Sequence, residues 1–308
     1  MASIDIGKTA FAGFALVGRK PLAVVGWALF ILVLGILPVV GLMAAMGPAF
    51  ADLIALAKAG GEPTQAQMMP LVTAWYAANP ILLVLSLLTR IMLAGAVFRA
   101  VLEPKNSGWA YLRLGMGEVM LGLVVICMGI LLGVGAMAWV GVSAGIGIAL
   151  WQASHAATIG FCIISGVILA VVMIWLSLRL SLAAPMSFAE RNFRLFESWK
   201  LTRGNAVNLL LVAILMVLII MVLEAIVAAL VMSVMFAVTG AGGLHHMDGH
   251  AMEAFFRQPP DVLIRKLGPW VVAGGLVASL IGAAFMAIVT APWADAYRQL
   301  RGTPDAAV

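Results

Sequence analysis

"LLLVAILMVLIIMVL", residues 209–223, is a run of apolar side chains with no polar interruption. A barrel strand would alternate apolar and polar residues with period two, and this run does not alternate. In hydrocarbon each backbone N–H and C=O must find its partner within the chain, so an unbroken apolar run crosses a membrane as an α-helix. A crossing needs about 20 such residues. Runs of that length recur at about 22–46, 79–102, 114–145, 158–183, 206–238 and 268–292. The expected fold is an all-α polytopic membrane helix bundle with six transmembrane helices, built as three hairpins in a single integral-membrane domain over residues 1–308.

Composition agrees with this reading. Of 308 residues 64% are hydrophobic, against roughly 45–50% in an ordinary soluble domain, and the mean hydropathy is +1.12. The net charge of +5 is accounted for by membrane orientation and anionic headgroups rather than by nucleic acid. Alternate connections collect Lys8, Arg19, Lys20, Arg99, Lys105, Arg113, Arg179, Arg191, Arg194, Lys200, Arg203, Arg298 and Arg301 on one side, and Lys58, Arg257, Arg265 and Lys266 on the other. Short basic loops resist translocation, so the richer side is expected to be cytoplasmic, with both termini inside a bacterial inner membrane. The first twenty residues have no clear signal-peptide cleavage site and read as retained. Phe11, Phe14, Leu16 and Val17 fit a short interfacial helix with Lys8, Arg19 and Lys20 in water. An unstructured basic tail is the alternative.

The connection between the fourth and fifth spans, "RLSLAAPMSFAERNFRLFESWKLTRGN" at 179–205, is dense in charge and aromatics. Pro185 is expected to stop the fourth helix. Ser187 and Glu190 have capping-box spacing, which predicts a new amphipathic helix over about 188–203, ended at Gly204. Its aromatics, Trp199 among them, would face acyl chains or the bundle. Arg191, Arg194, Lys200 and Arg203 would face anionic phospholipids or a cytoplasmic protein partner. A plain connector between two spans is the other reading.

A Pro-terminated span, an acidic residue, "SWKLTRGN" before the next span and "APWADAYRQLRG" (291–302) after the last one resemble the membrane domain fused to some bacterial glycerophosphodiester phosphodiesterases. Related free-standing inner-membrane families share the pattern, over about residues 80–301. The resemblance implies a six-helix inner-membrane domain tied to lipid or envelope maintenance. Residues 1–308 leave no room for the soluble catalytic domain of the fused form, so diesterase activity is not expected to carry over. The ends of spans two, four and six ("FRAVLEPKNSGWAYLRLG", 98–115, and the two stretches above) also hint at a threefold repeat, though basic and aromatic inner ends look alike by default.

Charges deep in spans are costly and need a reason. Arg90 and Glu224 fall near the middles of the second and fifth spans, and are expected to form an intramembrane pair, either a bundle staple or a path for protons or an anionic substrate. Glu118 and Arg179 lie nearer the inner surface, able to reach water or each other. Gly129 with Gly133 and Gly141 with Gly145 have the G-x-x-x-G spacing that lets helices approach, within the chain or in a homodimer. Cys127 and Cys162 lie in spans as small apolar residues. In the last outer loop His245, His246, Asp248, His250 and Glu253 have a composition able to bind Zn²⁺ or Cu²⁺, in a spacing that matches no metal motif. A solvated loop is the other reading.

No catalytic set or nucleotide loop is apparent, so neither a cofactor nor an enzymatic activity is expected. Two functions stay open: a non-enzymatic inner-membrane protein for lipid or envelope homeostasis or scaffolding, and a small-solute or lipid transporter or permease using Arg90 and Glu224.

Overall fold

The computed structural model describes residues 4–61, 63–105, 108–240 and 260–302. Every regular element among them is helical: α1 (Ile6–Ala10), α2 (Ala12–Arg19), α3 (Pro21–Ile31), α4 (Leu37–Lys58), α5 (Gln65–Leu102), α6 (Met116–Trp151), α7 (His155–Leu180), α8 (Ala183–Glu190), α9 (Ser198–Leu201), α10 (Ala206–Gly240) and α11 (Pro260–Arg301). Six helical stretches are long and apolar enough to cross a membrane. The fold class is therefore all-α and polytopic, as the apolar runs require. The helices outrun the apolar runs that mark them. α5 begins at Gln65 rather than near 79, and α11 at Pro260 rather than 268, because hydropathy measures only the hydrocarbon crossing while backbone hydrogen bonding continues into the polar flank.

The first span is locally unwound. A π-helical turn over Leu32–Ile36 joins α3 to α4, and the Leu37 N–H reaches back five residues to the Leu32 carbonyl. Pro38 follows at once; it has no N–H to give and its ring crowds the preceding turn, a common cause of such an insertion. Gly275 of α11 sits against this turn, where an added Cβ would come within 2.9 Å of Leu32 Cδ1.

Where the sequence suggests one domain, the chain divides into two compact units. The first comprises residues 1–16, 94–216 and 288–308, and the second 17–93 and 217–287. The second buries Trp27, Ala28, Leu93, Ala283 and Ala287. The first is centred on Val124, Leu180, Ala183 and Leu195, with Cys127 and Met128 packed against them.

Within the first unit α6 and α7 pack as a hairpin, but not through the predicted glycines. Cβ atoms added at Gly129, Gly133, Gly141 or Gly145 would meet nothing within 4 Å. Spacing marks a close-packing stripe but not the direction it faces. The glycine turned toward α7 is Gly147, where an added Cβ would lie 3.7 Å from Cys162 Sγ. Earlier on α6, one and two turns before Gly147, the Ser143 and Ser165 hydroxyls lie 2.6 Å apart and Trp139 Nε1 donates to Ser165 Oγ at 3.0 Å.

The amphipathic helix expected over 188–203 is not formed as one piece. α7 ends at Leu180, α8 starts at Ala183 and contains Pro185, and Arg191 closes α8 in the left-handed region at φ 53°. Proline is tolerated there because the first-turn N–H groups have no intrahelical acceptor. Ser187 does not cap; it is fully buried inside α8, and its hydroxyl accepts the Arg194 N–H at 2.9 Å. That bond folds 191–197 back as a loop. The short α9 follows, and Gly204 takes a positive φ of 88° where the helix stop was expected.

The N-terminal segment is helical, as α1 and α2. Phe11 and Phe14 are exposed with their rings 5.7 Å apart, and Lys8 and Arg19 are exposed, while Leu16 is buried.

Candidate functional site

In the first unit the polar side chains gather into three linked arrangements. The innermost joins the end of α5 to the start of α6. The Arg99 guanidinium pairs with the Glu118 carboxylate, and both are buried. Arg99 Nη1 also donates to the Tyr111 carbonyl at 2.6 Å, and Glu118 Oε2 accepts the Gly115 N–H at 3.0 Å. Two charges removed from water are tolerated when further hydrogen bonds satisfy them, and this pair meets that condition. The turn that aims the Tyr111 carbonyl is costly: Ala110 and Tyr111 both take positive φ, 51° and 59°. Gly95 makes room, since a Cβ there would lie 2.8 Å from Glu118 Cγ. Phe188 of α8 closes the site, with its ring 5.5 Å from Arg99 Cζ and 5.7 Å from the Phe98 ring.

The second arrangement ties the chain's two ends together. Asp295 of α11 is buried and accepts from Thr9 Oγ1 at 3.1 Å, Gln299 Nε2 at 2.6 Å and Arg298 Nη2 at 2.5 Å. Gln299 Nε2 also donates to Thr9 Oγ1, and Gln299 Oε1 accepts the Asp5 N–H at 2.8 Å.

The third arrangement centres on Glu190 at the end of α8. Its Oε2 is 2.5 Å from Arg194 Nε, and its Oε1 accepts from Tyr297 Oη and Arg301 Nη1, each at 3.1 Å. Arg194 also pairs with Glu197. That hydrogen bond, with further attraction from Glu190, holds the Arg194 guanidinium above its ordinary pKa.

These partners absorb the carboxylates Glu118, Asp295, Glu190 and Glu197. Lys105, Arg113, Arg191, Lys200 and Arg203 are left exposed, and among the described residues only Arg191 has a carboxylate neighbour, Glu103 at 3.8 Å. Large apolar side chains are exposed in the same segments: Trp109 at 68%, Leu114 at 68% and Phe196 at 66%. Of the predicted contact residues, Arg191, Lys200 and Arg203 thus sit on the surface. Arg194 is spent on Glu190 and Glu197. Trp199 packs edge-on against Trp175 at 4.8 Å. An open apolar groove of about 540 Å³, lined among others by Met173, Ser177, Pro185 and Trp293, lies in the same unit.

The intramembrane pair expected between Arg90 and Glu224 is not formed. Both side chains are exposed, and among the described residues neither has an ion-pair partner. Depth along a helix was legible, but the direction in which each side chain leaves it was not. Arg90 lies roughly 18 Å along α5 from Leu102, and Glu224 roughly 27 Å along α10 from Ala206, at 1.5 Å per residue. Glu118 meets Arg99, not Arg179. The metal candidates His245, His246, Asp248 and His250, with Glu253, lie outside the described residues.

Sequence reading missed Asp295, Thr9 and the Arg99–Glu118 pair. A partial signal existed: Asp295, Arg298 and Gln299 have i,i+3 and i,i+4 spacing on one helix face. Against family models, curated proteins and solved structures, the chain has no match. Function must therefore be argued from the geometry itself.

Proposed function

We propose that this is a non-enzymatic protein of the bacterial cytoplasmic membrane, with both termini inside, that supports lipid or envelope homeostasis by holding anionic phospholipids at a basic and aromatic surface. The observation that carries this reading is the division of charge in the first unit. Glu118 and Asp295 are buried against Arg99 and Arg298, and Glu190 and Glu197 pair with Arg194 and Arg301 nearer the surface, while Lys105, Arg113, Lys200 and Arg203, with Arg191 beside Glu103, stay exposed in the segments that also expose Trp109, Leu114 and Phe196. Basic residues near an anionic leaflet contribute about 1 kcal/mol each, and exposed aromatic side chains fix depth at the headgroups. The cytoplasmic placement follows from the excess of Lys and Arg in these connections. The resemblance to membrane domains fused to glycerophosphodiester phosphodiesterases points toward lipids as well. A transport reading depends on paired midspan charges, and nothing among the described residues favours it.

The test is lipid enrichment. Wild type extracted in polymer-bounded nanodiscs from a membrane of mixed phosphatidylglycerol and phosphatidylethanolamine should carry more phosphatidylglycerol than the bulk. The combined variant Arg191→Gln, Lys200→Gln, Arg203→Gln should carry the bulk ratio with its melting temperature unchanged. Equal enrichment in the two proteins would sink the proposal.

A further inference from the structure

Arg179 stands apart from the other arginines at this end of the helices. Its Nε and Nη1 are buried without a hydrogen-bond partner, and among the described residues no carboxylate lies within ion-pair distance. The guanidinium is held against two indoles, with Cζ 5.9 Å from the Trp175 ring centroid and 5.8 Å from that of Trp199. The rings meet edge-on, and Ser198 Oγ donates to the Arg179 carbonyl at 2.8 Å, fixing α9 against the end of α7. Neither indole N–H has an acceptor among the described residues. The groups that meet here are a guanidinium and two indole rings, and exposed Lys200 and Arg203 follow Trp199 in the chain.

The chain's own parallel shows what is missing. "WAYLRLG" (109–115) leads into α6 much as "WKLTRG" (199–204) leads into α10. In the first case Arg99 of the preceding helix meets Glu118, nine residues past Trp109. In the second, the residue at the same distance past Trp199 is Asn208, which carries no charge. Among the described residues no carboxylate completes the Arg179 site.

We propose that Arg179, with Trp175 and Trp199, binds the phosphodiester of an anionic phospholipid. A guanidinium fork matches a phosphate's paired oxygens, and stacking on aromatic faces holds the fork in one orientation. A membrane lipid is the favoured source over free phosphate because α7 is the least buried of the six spans, with 6% of its apolar window covered, and Trp175 is itself half exposed on it. The inference rests on the reading of this surface as one that meets lipid headgroups, but it names a discrete site rather than a diffuse field.

Native mass spectrometry of the full chain in detergent, titrated with phosphatidylglycerol, phosphatidylcholine or inorganic phosphate, separates the possibilities. Wild type should bind one phosphatidylglycerol more tightly than those that follow. Arg179→Leu should weaken that first event about tenfold in Kd. Arg179→Lys keeps the charge but loses the planar fork, and should weaken it nearly as much; this variant decides the matter if Arg179→Leu does not fold. The Arg191, Lys200, Arg203 variant should weaken the later events and spare the first, so the general surface and the discrete site fail separately. An unchanged first affinity in Arg179→Lys overturns the site. So does equal binding of phosphatidylcholine, or inorganic phosphate that binds at Arg179 while phosphatidylglycerol shows no dependence on it.

Discussion

Glu118 does two jobs with one carboxylate, closing the first turn of α6 through the Gly115 N–H and neutralising Arg99. Removing one member of a buried pair strands the other, which costs about 3–5 kcal/mol, whereas removing both together is often near neutral. Glu118→Ala should therefore lower the melting temperature in detergent sharply, and Arg99→Leu with Glu118→Leu should recover most of the loss. Additive losses would show that the two residues act independently. Gly95→Ala places a methyl 2.8 Å from Glu118 Cγ and should cost about 1–3 kcal/mol by overpacking. The pair was hard to read from sequence because Arg99 and Glu118 are separated by a turn whose left-handed residues, Ala110 and Tyr111, carry no glycine to announce it. Arg90 and Glu224 mislead in the opposite way, since each is conspicuous in an apolar run and neither faces the other.

At the scale of elements, the helices that cross the membrane were legible and the connection at 181–205 was not. An apolar run of sufficient length has one solution in hydrocarbon. A charged connection has many, and the chain's choice here turns on a tertiary bond, Arg194 N–H to Ser187 Oγ, that no local pattern contains. The arginines at the ends of α5, α7 and α11 illustrate the same limit. They look alike in sequence, yet Arg99 is met by a carboxylate from the next helix, Arg298 by Asp295 on its own helix, and Arg179 by two indoles. α1 is held by Thr9 and Asp5 on α11. Thr9→Val keeps the shape and removes the hydroxyl, with a loss of about 1 kcal/mol. Hydrogen exchange of residues 6–10 should then quicken roughly fivefold, with the exchange of α6 unchanged. If α1 exchanges as slowly as in wild type, the bond does not hold it.

For the whole molecule the decisive question is which side each connection occupies. Six crossings would place both termini on one side, and the function proposed above puts that side in the cytoplasm on the strength of the basic bias of its connections. Single cysteines at Lys200 and Ala153, both exposed, in a protein lacking Cys127 and Cys162, test this directly. An impermeant maleimide added to intact cells should label position 153 and not 200. The reverse pattern would invert the orientation, and with it the leaflet from which Arg179 takes its lipid.

The bond between Thr9 and Asp295 joins two helices whose partners lie 286 residues apart in the sequence. Until α11 is synthesised, Thr9 has no partner, and contacts of such long sequence separation form late. Closure of α1 onto α11 is therefore a late step of folding. A chain cut short before Asp295 would keep an open N-terminal segment, exposed to proteases at residues that the intact bond protects.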